Sequence, residues 1–167
     1  MRRIAAIFGS IVFFFIAPFT LAGLIPWALT HWQVASPEFA KPIAQAAGAS
    51  LAAMGVLLLV DSFARFAIKG LGTPAPVFPP KHLVVSGLYR HVRNPMYVGV
   101  VSAILGQALM FASTTLAIYG AFMWLGFHLF VLGYEEPTLR ETFGAEYDTF
   151  RKNVPRWIPR LTPSRPS

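Results

Sequence analysis

Four long apolar runs constrain this chain more than any other feature. They extend from Ile4 to Leu29, from about Ile43 to Ile68, from Met96 to Ala112 and from Leu116 to Tyr134. A helix needs about 20 residues to cross ~30 Å of hydrocarbon, and runs of that order take up more than half of the 167 residues. With 55 % hydrophobic and only 13 % charged residues, the chain could not hide so much hydrocarbon inside a water-soluble globule of its size. The pattern predicts an all-α integral membrane protein of about four transmembrane helices, ending in a helical hairpin and a cytoplasmic cap. The polar break Ser113-Thr114-Thr115 is short enough to join the last two runs only as an antiparallel pair. Residues 1–69 would form two N-terminal spans, and residues 70–167 the connecting loop, the hairpin and a C-terminal segment.

Basic residues supply the orientation. Lysine and arginine exceed aspartate and glutamate by 14 to 7. Arg2 and Arg3 precede the first run, Arg65, Lys69, Lys81, Arg90 and Arg93 lie between the second and third, and six more from Arg140 to Arg165 follow the last. The opposite connections carry only Lys41. Positive loops stay inside, so both termini and the central loop are expected in the cytoplasm, helped by anionic lipid. This distribution argues for membrane lipids as partners and against nucleic acid. Arg2, Arg3 and Thr20-Leu21-Ala22 would also suit a cleaved signal peptide. The apolar stretch continues through Leu24, Ile25, Trp27 and Leu29, which favours a retained span.

Several features are local. Pro18 and Pro26 should kink the first helix, with neighbours satisfying the freed carbonyls. Asp61 and Arg65 stand four apart and can pair on one face. Gly99, Ala103 and Gly106 form a small-residue face suited to close helix approach. The stretch from Gly70 to Pro80, rich in proline and glycine, should be extended and stiff. The absence of cysteine excludes disulfides, thiolate metal sites and cysteine nucleophiles. His31, His82, His91 and His128 show no metal-ligand spacing, so no metal is expected.

Two polar clusters flank the hairpin. Ser86 to Tyr97 leads into the third run, and Tyr134 to Arg140 leaves the fourth. An antiparallel pair returns its outgoing end beside its incoming end, so Glu135 and Glu136 should lie near Arg93, Asn94 and Tyr97 at the cytoplasmic interface. Interfacial anchoring by tyrosine and arginine alone would also account for such clusters.

The words themselves are more specific. Gly87-Leu88-Tyr89, Arg93-Asn94-Pro95-Met96-Tyr97-Val98-Gly99, Tyr134-Glu135-Glu136-Pro137, Phe143-Gly144 with Glu146-Tyr147, and Val154-Pro155-Arg156 with Ile158-Pro159 occur in this order. Together they resemble the isoprenylcysteine carboxyl methyltransferase and phospholipid methyltransferase superfamily, over about Gly72 to Pro159. The resemblance implies an integral membrane enzyme using S-adenosyl-L-methionine, with the cofactor at the cytoplasmic helix ends under the connecting loop and C-terminal segment. It assigns cofactor binding to Lys81, His82, Leu83, Val84, Tyr89, Arg93, Asn94, Pro95, Met96, Tyr97, Glu135 and Glu136. Residues Met1 to Lys69 add only hydrophobicity to the match.

Two departures bear on substrate. Asn94 stands where the motif usually has histidine, and an amide bonds but does not titrate. Val131 stands where the prenylcysteine enzymes have an arginine implied to hold the substrate carboxylate. Its loss argues against a carboxylate acceptor unless Arg156 or Arg93 replaces it. His128, two turns before Glu135, is a candidate to meet the acceptor or take its proton. Arg156 and Trp157 should fold back as a lid or as a membrane anchor.

The expected activity is methyl transfer to a lipophilic acceptor at the cytoplasmic face of a membrane, with a bacterial inner membrane the best fit. A membrane reductase of related architecture is one alternative and would bind NADPH. A non-catalytic membrane subunit that kept the fold is another, and would tolerate substitution of Tyr97 and Glu135.

Overall fold

A computed structural model describes residue 12 and residues 15–35, 41–65, 83 and 85–163. Five helices and no strand occur among the described residues. They are α1 (Phe15–Thr30), α2 (Pro42–Arg65), α3 (Pro95–Met110), α4 (Thr114–Phe143) and α5 (Ala145–Asn153). A 3-10 turn, Gly87–Arg90, precedes α3.

α2 has 24 residues and α4 has 30, and both are long and apolar enough to cross a membrane. α1 and α3 are shorter apolar helices as described; the 16 residues of α3 span ~24 Å. Only 17 % of the apolar window of α2, and of α4, is buried inside the protein. Leu57 is 69 % exposed and Phe122 70 %. Large apolar side chains this exposed call for an apolar surrounding outside the protein itself.

Ends and turns follow from local chemistry. Ser113 caps α4, its Oγ accepting from Leu116 N at 3.3 Å. Pro95 opens α3, where the missing N–H costs nothing. α4 differs from expectation in not stopping near Glu135. It runs on to Phe143, and Gly144, at φ +51°, separates it from α5. Arg140 to Arg151 is therefore two helical pieces meeting at a corner.

The small-residue face of α3 packs on α2, forming the tightest seam of the fold. A Cβ on Gly55 would sit 2.6 Å from Ala103 N and Gly99 O, and one on Gly48 would sit 2.6 Å from Gly106 O. Backbone thus lies against backbone, which only glycine permits. Beside the seam, Leu59, Phe63, Val100 and Ile104 form the main core.

Proline in α1 is compensated from across the bundle. Pro26 has no N–H to give the carbonyls four and five residues back, Ala22 and Leu21. Gln107 Nε2 donates to Ala22 O at 2.7 Å, and Tyr119 Oη donates to Leu21 O at 3.0 Å. Two polar side chains inside apolar helices are thereby accounted for.

A second, smaller core lies beyond the hairpin. Tyr147 and Phe150 of α5, with Val154, are buried against Leu83, Val85, Leu139 and Phe143. It joins the C-terminal segment to the end of the connecting loop.

Candidate active site

The open end of the α3–α4 hairpin gathers side chains from both polar clusters, and three linked groups can be distinguished. In the first, Tyr97 Oη donates to Glu135 Oε2 at 2.8 Å, and the Tyr97 ring stacks on Phe127 with centroids 4.7 Å apart. A local irregularity of α4 makes this possible. An α-helix turns about 100° per residue, so Phe127 and Glu135 would otherwise diverge by about 80°. Val131–Glu135 forms a π-helical turn, which absorbs about one residue of rotation and returns Glu135 to the Phe127 face.

The second group centres on Glu136, which is 7 % exposed. Arg156 donates from Nε at 2.6 Å and from Nη2 at 3.1 Å to its two oxygens. Arg93 Nη1 adds a bond at 3.0 Å and also reaches Tyr147 Oη at 3.4 Å. The Arg156 guanidinium is held above its ordinary value by its bond to Glu136. Burial raises the Tyr147 phenol, reinforced by the Glu136 charge. Two arginines on one buried carboxylate make a charged lock rather than an open binding group.

The third group is aromatic. Trp157 Nε1 donates to His128 Nδ1 at 3.0 Å, and the His128 ring stacks on Trp124 with centroids 5.2 Å apart. An indole only donates, so Nδ1 offers its lone pair to Trp157 and the neutral ring carries its hydrogen on Nε2.

Backbone bonds seat the C-terminal segment over these groups. Arg93 N donates to Pro155 O at 2.9 Å, and Arg160 N to His91 O at 3.0 Å. Asn94 Nδ2 donates to Arg156 O at 3.1 Å, and His91 Nδ1 meets Arg160 O at 2.7 Å.

The sequence-derived positions therefore divide. Tyr89 is buried within the Gly87–Arg90 turn, its phenol raised by burial and hydrogen-bonded to Ser62. Arg93 and Asn94 spend their side chains on Glu136 and on the C-terminal segment. Pro95 is buried at the start of α3, and Met96 packs on the main core. Leu83 belongs to the second core. Lys81, His82 and Val84 lie outside the described residues. The motifs did not reveal Phe127, Trp124 or Ser62, and they gave Tyr147 only as a letter of one word. For Ser62, a polar residue near the end of an apolar span was the available signal.

Comparison with known proteins places this geometry. A family model described as phospholipid methyltransferase matches residues 43–146, more than half of the chain. The chain belongs to the phospholipid methyltransferase family. A protein-S-isoprenylcysteine O-methyltransferase of Schizosaccharomyces pombe is 38 % identical over 80 residues, covering 46 % of this chain and 33 % of that protein. The chain thus aligns with about a third of its relative's length. No solved structure matches. The stretch matched by the phospholipid methyltransferase family contains Tyr89, Tyr97, Glu135 and Glu136, whereas Arg156 and Trp157 lie beyond it.

Proposed function

We propose that this chain is a membrane-embedded methyltransferase that passes a methyl group from S-adenosyl-L-methionine to a lipophilic acceptor at the cytoplasmic interface. The observation that carries the reading is the 2.8 Å bond between Tyr97 and Glu135, which joins the two motif words of a methyltransferase family at one helix end.

The side chains suit the cofactor. Glu135 gives one oxygen to Tyr97 and has the other as an acceptor for hydroxyl or amino donors. Tyr97 and Tyr89 bring aromatic rings to the same end, where a ring face attracts a cation. Ser86 Oγ and Arg93 Nε are buried without a hydrogen-bond partner among the described residues, and such groups call for polar company. When bound, the cofactor supplies an electrophilic methyl on a sulfonium. The chain's task is to orient the donor and exclude water. The resemblance adds Lys81, His82, Leu83 and Val84 of the connecting loop to the residues proposed to hold the cofactor.

Arg156 and Arg93 are both engaged by Glu136, and Val131 offers no charge. An acceptor without a carboxylate is therefore favoured, although the Schizosaccharomyces pombe relative is named for isoprenylcysteine. His128, with Nδ1 held by Trp157, supports orientation of the acceptor through Nε2–H better than removal of a proton.

Isothermal titration of the detergent-solubilised protein tests the reading. S-adenosylhomocysteine should bind with one site, and Glu135→Gln should weaken it by about tenfold, equivalent to ~1.4 kcal/mol. Absence of binding by both S-adenosylhomocysteine and S-adenosylmethionine would overturn the assignment. Topology has its own test, because the chain lacks cysteine. With four spans and both ends inside, a membrane-impermeant maleimide applied outside should label Thr114→Cys but not Lys152→Cys. The reverse pattern would invert the orientation.

A further inference from the structure

The C-terminal segment is fastened along its length, yet two of its largest aliphatic side chains face outward. Backbone bonds to Arg93 and His91, the Asn94 amide and the Arg156–Glu136 pair hold residues 155–160. Arg160 Nη1 also donates to Asn153 O at 2.7 Å. Ile158 is nevertheless 80 % exposed and Leu161 98 %. An ordered segment that turns such side chains away from the protein presents a surface made for an apolar partner. Arg156 and Trp157 are not that surface, because they are spent on Glu136 and on His128.

The neighbours of the segment indicate the partner. Trp157 reaches His128, seven positions before Glu135 on α4, which lies ~10 Å further into the span. There it joins the ring of Trp124, itself on the exposed apolar side of α4. Two residues beyond Leu161, Pro163 borders a cavity with Met54, Leu57 and Leu58 of α2, and Met54 and Leu57 are exposed on that span. The stretch carrying Ile158 and Leu161 thus runs between the apolar parts of the two longest helices. Its backbone suits an apolar surrounding: Pro159 and Pro163 have no N–H to leave unpaired, and Arg160 N is taken by His91 O.

We propose that residues 157–163 form an interfacial strap on the leaflet at the Glu135 end of the bundle, with Ile158 and Leu161 inserted among the acyl chains. The partner is lipid hydrocarbon, the same that surrounds Phe122 on α4, so the exposed apolar belt of the spans continues onto the strap. Interfacial segments of this kind sink apolar side chains about 5–10 Å into the boundary between headgroups and acyl chains. The C-terminal segment is then clamped from two sides, by Glu136 within the protein and by lipid outside it. The proposal rests on reading α4 as a membrane span and not on methyl transfer.

Because the chain lacks cysteine, single cysteines can report on this placement. Ile158→Cys, Leu161→Cys, Lys152→Cys and Phe122→Cys alter exposed positions, so each full-length variant should fold normally. Each is labelled with bimane and reconstituted in dioleoylphosphatidylcholine vesicles containing a lipid with a nitroxide near the headgroup end of its acyl chain or near the chain terminus. Labels at Ile158 and Leu161 should be quenched several-fold more by the shallow nitroxide than the label at Lys152, and should resist aqueous iodide. The label at Phe122 should respond most to the deep nitroxide. Iodide quenching of Ile158 and Leu161 as strong as that of Lys152, with Phe122 still quenched by lipid, would overturn the strap and leave the span standing. Shielding of both positions from iodide and from nitroxide alike would mean that protein, such as a second copy of the chain, covers them, and would overturn it too. No nitroxide quenching at Phe122 would remove the span and the strap together.

Discussion

Tyr97 and Glu135, 38 positions apart in the chain, meet as donor and acceptor at 2.8 Å where α3 begins and the π-helical turn of α4 ends. The neighbouring Glu136 points elsewhere, onto Arg156 and Arg93. Two adjacent carboxylates in one motif thus have different work: Glu135 borders the candidate cofactor site, and Glu136 fastens the C-terminal segment.

This division predicts opposite phenotypes. Tyr97→Phe keeps the ring on Phe127 and removes only the hydroxyl. Affinity for S-adenosylhomocysteine should fall about three- to tenfold, equivalent to ~0.6–1.4 kcal/mol, because Glu135 is no longer held in place by Tyr97. An unaltered affinity in titration would remove Tyr97 from the site.

Glu136→Gln should act on stability first. Losing the charge leaves two arginines at a buried position facing a neutral amide, at a cost of about 3 kcal/mol. Limited proteolysis should then release the segment after Asn153 more readily than in the parent protein. Equal protease resistance would show that Glu136 is not the fastening.

Gln107→Leu tests the compensation of Pro26. The variant removes the donor from Ala22 O and leaves a carbonyl without its partner at a cost of about 1–2 kcal/mol. Pairing it with Pro26→Ala restores a backbone N–H, so the double variant should recover most of the lost stability. Strict additivity of the two changes in chemical unfolding would refute the link.

Alkaline pH should loosen the fold through Tyr147. Its folded phenol sits above the ordinary value near 10. Below that value the group is protonated whether folded or unfolded, and its contribution is complete. As pH rises further, the unfolded chain gives up the proton first, so stability declines. Tyr147→Phe should flatten the fall of the unfolding midpoint between about pH 9 and pH 11. The same slope in both proteins would place the alkaline sensitivity elsewhere.

Much of this arrangement was legible in residue order alone. The apolar runs and the three-residue break before Leu116 define helices and a hairpin, because each depends on hydropathy and on neighbours within a turn or two. That the ends of the hairpin adjoin follows from its antiparallel return, which brings Arg93 to Tyr97 beside Glu135 and Glu136. The Asp61–Arg65 pair is likewise a consequence of spacing.

Side-chain partners across the fold were decided by tertiary structure. One inserted residue of rotation in α4 brings Glu135 onto the face of Phe127 and so to Tyr97, and no periodicity in Val131 to Glu135 announces it. The face of Gly99, Ala103 and Gly106 was evident, but its mate could be known only once Gly48 and Gly55 were set against it. Residue order left Arg156 in a segment that could be a lid or a membrane anchor; only the tertiary structure sets its guanidinium on Glu136, because a charge withdrawn from water requires its counterion at contact distance.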